Sequence, residues 1–404
     1  MTSVLAGLMM AAAFLQQGRE RADTRLLAAA LAECERLRCD EPWFTANYAL
    51  ARLALKKASL LEAGGARFGV GEGRVEEIVA DGMAAIERLR HKQLPPLRTG
   101  KLMELAYEAA NDGSVQPYYL YLPPDYSDDR KWPLIVFLHG YVPTITVIDP
   151  WILPDEQCAI AGRNGCMLLI PYGRRNTDFQ GVGEVDVLET TRLVCEAFPV
   201  DQDRIYISGV SMGGMGAWNM ALRHPGMYAA ATPMCGQTDM LTWWGWPKDD
   251  IAPFKRWLIE WDNPINLVDN LRGQHVFVQH GELDHLIPVE QSRSMVRAAE
   301  ALGIKVDYYE HKGKSHYIYW ENECFERAWS WLPQFRRESS PSHITFVTYS
   351  LEYDTAFWTR ILAIDKWGEP ARVEVRRDLE ANSVEITVEN VASLALDRST
   401  ARIG

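Results

Sequence analysis

Between residues of about 100 and 335, short apolar runs alternate with helical stretches, and this alternation constrains the fold more than any other feature of the chain. The apolar runs are residues 118–122, 134–138, 166–170, 204–208, 229–234, 275–279 and 305–309. Helix candidates between them are residues 184–196, 212–222 and 289–302. Strands that alternate with helices predict a mainly parallel sheet with helices on both faces. The sequence therefore predicts an α/β domain over residues 98–338.

The segment before this domain has a helical pattern. Apolar residues recur at steps of three and four, namely Val75, Ile78, Val79, Met83, Ile86 and Leu89. Such spacing puts them on one face of an amphipathic helix, which must be buried. Pro95 and Pro96 then break the helical pattern and mark a boundary. Residues 1–97 are predicted to form a helical N-terminal segment.

The pattern changes again after Pro341. Val373 and Val375, then Val384, Ile386 and Val388, alternate with polar residues on either side of a turn near residues 380–382. Period-two alternation is typical of an antiparallel hairpin with one buried face. Residues 344–351 and 357–367 supply further strands. A small β-sandwich-like module is therefore predicted over residues 339–404.

Charge and hydropathy exclude several classes of protein. Forty-two Lys and Arg against 54 Asp and Glu give a net charge of −12, so the surface repels nucleic acid on average. No apolar run reaches the roughly 18 residues of a membrane span. Residues 4–15 are apolar, but no Lys or Arg precedes them, which favours a helix of the mature chain over a signal peptide. We expect a soluble protein, either cytoplasmic or secreted, and the oligomeric state stays open.

Cysteine spacing predicts no structural metal site. The chain has seven cysteines, and none of their spacings is the paired kind that a structural zinc site uses. Cys34 and Cys39 are the only close pair. Spacing alone does not decide whether those two form a disulfide.

The strongest local motif is Gly-Val-Ser-Met-Gly at residues 209–213. It follows an apolar run and opens a helix candidate, which is the setting in which a serine sits on a strained turn between two close-packed glycines. Ser211 is therefore the candidate nucleophile. A purely structural glycine-rich turn is the alternative.

A serine nucleophile needs a base and an acid that orients the base. Of nine histidines, His316 lies in a loop after the last predicted strand of the α/β domain, and we favour it as the base over His311, at the end of that strand. Asp284 follows the run at residues 275–279 and is the candidate acid, with Glu282 as its rival. The chain order serine, acid, histidine is that of the α/β-hydrolase arrangement.

Acyl transfer also needs N–H groups that bind the developing oxyanion. The main-chain N–H of Met212 directly follows the candidate nucleophile. The segment Leu138-His-Gly-Tyr141 ends an early strand, and the N–H of Tyr141 is the second candidate donor.

These motifs resemble a known family. The α/β region is similar to the α/β-hydrolase superfamily and, within it, to bacterial carboxylesterases and depolymerases related to the prolyl oligopeptidase catalytic domain. The matching stretches are residues 112–118, 122–126, 138–140 and 181–186, the turn at Ser211, and residues 280–284. The resemblance implies an α/β-hydrolase fold and a Ser-His-Asp hydrolase that uses no metal or organic cofactor. At the oxyanion loop the sequence departs from the family, with residues 139–143 replacing a glycine-rich segment.

Tryptophans suggest where a substrate binds. Trp243, Trp244 and Trp246 lie between the run at 229–234 and Asp284, where an insertion falls above the carboxyl edge of the sheet. They are candidates for substrate binding, although a small core of their own is an equal alternative.

The leading hypothesis is a serine ester hydrolase acting on aryl, carbohydrate-linked or polyester substrates. Two rivals are a serine peptidase of the prolyl oligopeptidase type, for which about 95 helical residues are too few to form a propeller, and a non-catalytic polymer-binding protein.

Overall fold

The computed structural model describes residues 23–64, 74–246 and 251–403. The apolar start at residues 4–15 lies outside these ranges. The chain divides into two compact units. Unit 1 comprises Met1–Arg98, Met103–Leu120 and Ile145–Pro150, and unit 2 comprises Thr99–Leu102, Tyr121–Thr144 and Trp151–Gly404.

Unit 1 is mainly helical. Its helices are α1 (23–34), α2 (Pro42–Gly64) and α3 (Arg74–Arg90), and strands β1 (Leu102–Glu108) and β2 (Val115–Tyr121) fall mostly within it. Helix α3 is the one predicted from apolar spacing. At Gly82 of α3, a Cβ would lie 2.8 Å from Leu27 and 2.9 Å from Ala54. The lack of a side chain there allows the three helices to pack closely.

Unit 2 contains a parallel sheet in the order β4-β3-β5-β6-β7-β8. These strands are β3 (Trp132–Leu138), β4 (Met167–Pro171), β5 (Val200–Val210), β6 (Ala230–Met234), β7 (His275–Gly281) and β8 (Asp307–His311). Each coincides with one of the predicted apolar runs. The helices that connect or follow them are α4 (Asp155–Arg163), α5 (Val182–Ala197), α6 (Met212–Arg223), α7 (Met240–Trp243), α8 (Pro253–Asp262), α9 (Glu290–Ala301) and α10 (Asn322–Trp331).

Helices cover both faces of this sheet, as predicted. Successive side chains of a strand point to opposite faces. In β3, the Leu138 side chain meets α6, where a Cβ on Gly216 would lie 2.9 Å from it. Phe137 points the other way and contacts Phe325 and Trp329 of α10, with ring centroids 5.7 and 5.9 Å apart. The α/β-hydrolase fold expected from the sequence is confirmed.

The chain ends in two three-stranded antiparallel sheets, β10-β11-β14 and β13-β12-β9. Their strands are β9 (His343–Thr348), β10 (Thr355–Ala356), β11 (Thr359–Ile364), β12 (Ala371–Asp378), β13 (Ser383–Glu389) and β14 (Val391–Leu396), followed by α11 (Arg398–Ala401). The buried residues of this module are Ile344, Phe346, Ala356, Trp358, Ile361, Ala371, Val373, Val375 and Ala401. The two sheets therefore share one core.

The predicted hairpin is present, but only one of its strands is fully buried on the expected face. Strands β12 and β13 pair antiparallel around the turn. Val373 and Val375 of β12 are buried, whereas Ile386 and Val388 of β13 are 40% and 45% exposed. Strand β9 is the opposite edge of the same sheet, yet its Ile344 and Phe346 are buried, so edge position alone does not explain the difference. The core of the module covers β9 and β12 and reaches β13 only at Val384.

The β module is joined to the α/β core by a buried amide. The Asn270 side chain donates from Nδ2 to the carbonyl oxygens of Leu222 and Val347, at 2.8 and 2.9 Å, and its Oδ1 accepts from the N–H of Val347 at 2.7 Å. One side chain thus satisfies three buried main-chain groups at this junction.

The described residues contain neither a disulfide nor a helix suited to crossing a membrane. All seven cysteines fall within the described ranges and are free thiols, so Cys34 and Cys39 are not paired. Within those ranges, no helix is both long and apolar enough to cross a membrane.

Candidate active site

A sharp turn between β5 and α6 places Ser211 at the carboxyl end of the sheet. Ser211 has a φ of 57°, in the left-handed region that costs a residue with a Cβ about 1–2 kcal/mol. A Cβ on Gly209 would lie 2.0 Å from the carbonyl oxygen of Gly213, and one on Gly213 would lie 2.0 Å from that of Leu138. Only glycine fits at these two positions, so close packing around the turn holds the serine in its strained conformation.

The serine, histidine and aspartate singled out in the sequence are in hydrogen-bond contact. Nε2 of His316 lies 2.8 Å from Oγ of Ser211, and Nδ1 of His316 lies 2.6 Å from Oδ2 of Asp284. The three residues follow β5, β8 and β7, so the carboxyl ends of these strands bring them together. A hydroxyl that faces an imidazole, which in turn faces a carboxylate, can pass a proton from the hydroxyl to the imidazole.

The Asp284 carboxylate is held in one orientation. Its Oδ1 accepts hydrogen bonds from the main-chain N–H groups of Leu286 and Ile287, at 3.0 and 2.8 Å, which leaves Oδ2 directed at His316. Burial opposes its charge, but hydrogen bonds from His280, His316 and Ile287 outweigh burial and hold the pKa of Asp284 well below its usual value. The carboxyl group is therefore ionised at neutral pH.

The two rival residues lie elsewhere in the hydrogen-bond network. Nε2 of His311 is 2.9 Å from Oε1 of Gln279, and burial lowers the pKa of His311. The Glu282 carboxylate accepts the N–H of Gly313 at 2.8 Å. Neither rival makes a hydrogen bond to Ser211 in the described structure, so the geometry favours His316 as the base and Asp284 as the acid.

The chain beside each predicted oxyanion donor lies close to Ser211. Met212 is the first residue of α6, and the N–H groups of a first helical turn have no partner within the helix. A Cβ built on Gly140 would lie 3.6 Å from the Ser211 Cβ, so the chain that leads into Tyr141 passes beside the serine. The Tyr141 side chain is exposed, and its main-chain N–H is the group of interest.

Two further residues hold the loop that contains Tyr141, and the sequence analysis missed both roles. The amide of Asn176 accepts the N–H of Val142 at 3.1 Å and donates to the Val142 carbonyl at 2.8 Å. The buried His139 ring lies 2.9 Å from the Gly140 carbonyl oxygen. Asn176 follows a predicted strand at the same edge as Ser211, and that position was the available signal.

The tryptophan segment lies against the loop of Asp284. Nε1 of Trp243 donates to the carbonyl oxygen of Leu286 at 3.0 Å. The rings of Trp244 and Trp246 are in contact, with centroids 4.7 Å apart, and both side chains are exposed. The structure thus places Trp243 against the loop that carries the candidate acid and leaves the rings of Trp244 and Trp246 accessible at the surface.

An exposed aromatic pair that the sequence analysis did not single out follows His316. The rings of Tyr317 and Trp320 are stacked with centroids 4.2 Å apart, and Trp320 is 70% exposed. The His316 and Tyr317 ring centroids are 5.5 Å apart. The sequence Tyr-Ile-Tyr-Trp at residues 317–320 was the signal that could have indicated this pair.

Within the described part of the chain, one group of three side chains has the spacing of metal ligands. The ligand atoms of Cys235, Asp284 and His316 lie within 4.8 Å of one another. However, Asp284 and His316 are hydrogen-bonded to each other, and burial raises the pKa of the Cys235 thiol well above its usual value. A neutral thiol is a poor metal ligand, so the group fits a hydrogen-bond network better than a metal site.

Residues 176–336 match the prolyl oligopeptidase family. Over 281 residues the chain is 22% identical to dipeptidyl-peptidase 5 of Porphyromonas gingivalis, covering 61% of this chain and 38% of that protein. Over 156 residues it is 25% identical to an uncharacterized peptidase of Bacillus subtilis, covering 36% of this chain and 60% of that protein. The chain therefore spans less than two thirds of either relative.

Among solved structures, a thermostable esterase is 25% identical, with a TM-score of 0.43, over 58% of this chain and 63% of that one. The matching family segment includes Ser211, Asp284 and His316. Residues 176–336 are therefore similar to the prolyl oligopeptidase family of serine hydrolases, and they lie on the α/β-hydrolase fold described above.

Proposed function

We propose that this protein is a serine carboxylic-ester hydrolase that works through an acyl-enzyme. The observation that carries the proposal is the continuous hydrogen-bonded path from Ser211 through His316 to Asp284. Nucleophile, base and orienting acid are each within 2.8 Å of the next group, so no rearrangement of these side chains is needed before the first proton transfer.

The proposed reaction has two halves. Ser211 Oγ attacks the ester carbonyl carbon while His316 Nε2 takes the hydroxyl proton, and the ionised Asp284 stabilises the imidazolium that forms. His316 then gives this proton to the leaving alcohol oxygen as the ester C–O bond breaks. Water then attacks the acyl-enzyme while His316 takes its proton, and His316 returns this proton to Ser211 Oγ as the acyl C–Oγ bond breaks and the carboxylic acid is released.

The negative charge on the substrate oxygen needs donors already in place. We propose the main-chain N–H groups of Met212 and Tyr141 for this role. Met212 also lies at the N-terminus of α6, where the helix dipole favours negative charge. The contacts of Asn176 with both main-chain groups of Val142 support the second donor by fixing its loop.

The substrate class we propose is an ester with an aryl or other apolar group. Loops that carry the candidate residues also carry exposed apolar side chains: Tyr141, Leu283, Leu286, Tyr317, Trp320, Trp244 and Trp246. Exposed apolar side chains grouped around one site favour apolar ligands. Trp243, Trp244 and Trp246 are the proposed binding residues on one side, and the stacked pair of Tyr317 and Trp320 supplies a second aromatic surface.

The experiment is a comparison of wild type with Ser211→Ala on p-nitrophenyl acetate and p-nitrophenyl benzoate. We expect the variant to remain folded by circular dichroism and to lose at least about 10³-fold in kcat/KM. Intact-mass labelling with a fluorophosphonate, followed by peptide mapping, should give one adduct on Ser211. Turnover retained by the folded variant would contradict the nucleophile assignment, and absence of turnover and of labelling in wild type would favour the polymer-binding alternative.

Trp320→Ala tests the substrate class. It should raise KM for the benzoate more than for the acetate, because it removes a surface on which an aryl group stacks. Trp367→Ala is the matched control, since Trp367 is also exposed but its ring contacts Trp257. Equal effects of the two variants would contradict a role of Trp320 in aryl binding.

A serine peptidase is the second candidate, and the family match at residues 176–336 favours it. The same catalytic groups cleave amides when the leaving amine is protonated. Dipeptidyl p-nitroanilides test this candidate directly. Amide turnover within about tenfold of ester turnover would replace the ester proposal, because esters are the more reactive substrates and an esterase gains no specific help for an amine leaving group.

A further inference from the structure

Asp284 has a second imidazole partner besides His316. Nε2 of His280, at the end of β7, lies 3.2 Å from Oδ2 of Asp284, the same oxygen that contacts His316. Both side chains are completely buried. His280 is therefore a buried titratable group in direct contact with the proposed machinery, and the proposed reaction leaves it without a role.

The surroundings of His280 determine which nitrogen carries its proton. Nε2 also lies 2.8 Å from the carbonyl oxygen of Ile287, so it faces two oxygens that only accept hydrogen bonds. Nδ1 lies 2.7 Å from Oγ of Ser292, whose hydroxyl can donate. A proton on Nε2 that is shared between these two oxygens, with Nδ1 accepting from Ser292, accounts for all three contacts.

We propose that His280 is a positioning residue for the proposed active site, holding the Asp284 carboxylate through a hydrogen bond from Nε2–H to Oδ2. Ser292 sets the tautomer of His280. The inference rests on the proposed function, because a carboxylate needs such control only if it orients a catalytic imidazole.

The hydrogen bonds around the carboxylate explain what His280 adds. Two main-chain N–H groups bind Oδ1 and fix one end of the carboxylate. At Oδ2, His316 Nδ1 lies 2.6 Å away and His280 Nε2 lies 3.2 Å away, and the single Nε2–H of His280 is shared with the Ile287 carbonyl oxygen at 2.8 Å. With His280 in place, both carboxylate oxygens have donors that fix the plane of the group. The negative charge then interacts with two imidazole N–H groups and not with His316 alone.

Other titratable groups surround this pair. Cys235 follows β6 and has its thiol near the carboxylate, and Tyr319 interacts electrostatically with the same carboxylate. Glu310 of β8 is the register partner of His280 and is paired with Arg293 at 2.7 Å. These groups remain unchanged in the variants below, so differences between the variants report on the His280 contacts.

Three variants separate positioning from a merely structural role. His280→Leu removes the donor to Asp284, and we expect kcat/KM for p-nitrophenyl acetate to fall about 10- to 100-fold, mostly in kcat. His280→Gln retains an N–H donor and should restore activity to within about fivefold of wild type. Ser292→Ala leaves the ring in place but frees its tautomer, and should reduce kcat by about three- to tenfold.

The pH profile distinguishes a positioning role from a loss of folded protein, because less folded enzyme lowers the rate at every pH without shifting the profile. Without the His280 donor, the carboxylate binds the imidazolium form of His316 more tightly, so the acid limb of kcat/KM should move to higher pH in His280→Leu and stay near wild type in His280→Gln. His311→Gln is the matched control, because His311 is also buried but contacts Gln279. We expect its profile to match wild type.

Each outcome decides the inference. An unshifted acid limb in His280→Leu, or His280→Gln no more active than His280→Leu, would overturn it. If His280→Leu does not fold, Ser292→Ala decides, and an unchanged kcat would overturn the proposal. Fluorophosphonate labelling of wild-type Ser211 is measured alongside: without labelling the proposed function itself fails, whereas labelling with insensitive His280 and Ser292 variants refutes only this inference.

Discussion

Replacement of Asp284 by Asn is the most discriminating change at the proposed active site. Oδ1 accepts two main-chain N–H groups, so the Asn oxygen must occupy that place. Flipping the amide would oppose donor to donor and leave two N–H groups unsatisfied, at about 1–3 kcal/mol each. The NH₂ group therefore faces His316 and donates to Nδ1, while the N–H of His280 beside it keeps the Ile287 carbonyl oxygen as its acceptor. This contact forces the His316 proton onto Nε2, where it faces Ser211 and prevents His316 from accepting the serine proton.

The expected loss in kcat is about 10⁴-fold, which corresponds to about 5.4 kcal/mol of transition-state stabilisation. The assay is stopped-flow hydrolysis of p-nitrophenyl acetate, together with the rate of fluorophosphonate labelling of Ser211. The fold should be preserved, because the Asn side chain has nearly the same shape.

Glu282→Gln is the matched control, since Glu282 was the rival acid and binds only the Gly313 N–H in the described structure. We expect it to retain wild-type turnover. An Asp284→Asn variant that is folded and within tenfold of wild type, or a Glu282→Gln variant that loses more activity than it does, would refute the reasoning.

Three further predictions concern stability. Asn270→Ala leaves three buried main-chain groups unpaired at the junction with the β module and should lower the free energy of unfolding by about 2–4 kcal/mol, measured by urea denaturation, without changing kcat of the folded protein. Unchanged stability would show that the junction does not depend on this amide. Gly213→Ala places a Cβ 2.0 Å from the Leu138 carbonyl oxygen and should prevent folding to a soluble, labelled enzyme; normal yield and labelling would contradict the close packing. The pKa of Asp284 is depressed in the folded state, so its ionised form adds stability above its unfolded value of about 3.9, and this contribution is lost as pH falls below that value. Asp284→Asn should therefore show a weaker fall in Tm between pH 5 and pH 3 than wild type, by scanning calorimetry, and parallel curves would argue against a depressed pKa.

Much of the fold was predictable because its signals are local. Buried parallel strands require continuous apolar runs, and each predicted run in the α/β region coincides with an observed strand. The turn at Ser211 was equally predictable from its glycines, since a tight strand-to-helix turn leaves no room for a Cβ at Gly209 or Gly213. The hairpin of β12 and β13 followed from its period of two.

The hairpin pattern could not predict how far the apolar side chains of each strand are buried. Ile386 and Val388 alternate just as Val373 does, yet they remain partly exposed because the core of the module reaches β13 only at Val384. Which residues the core covers is decided by the packing of the two sheets. The contact of Asn176 with Val142 likewise joins residues 34 apart in sequence, which meet only in the folded chain. His280 and Asp284 are only four residues apart, but their contact depends on how the chain turns between them.

The sequence by itself determined the α/β class, the strained turn at Ser211, and the order of serine, acid and histidine, because each depends on residue types at fixed local spacing. Only the tertiary structure decided that His316 and not His311 faces Ser211, that Asp284 and not Glu282 faces His316, and that a second histidine shares the carboxylate. The first two choices depend on side-chain directions at the carboxyl ends of β5, β7 and β8, which the assembled sheet brings together over separations of 32 and 105 residues.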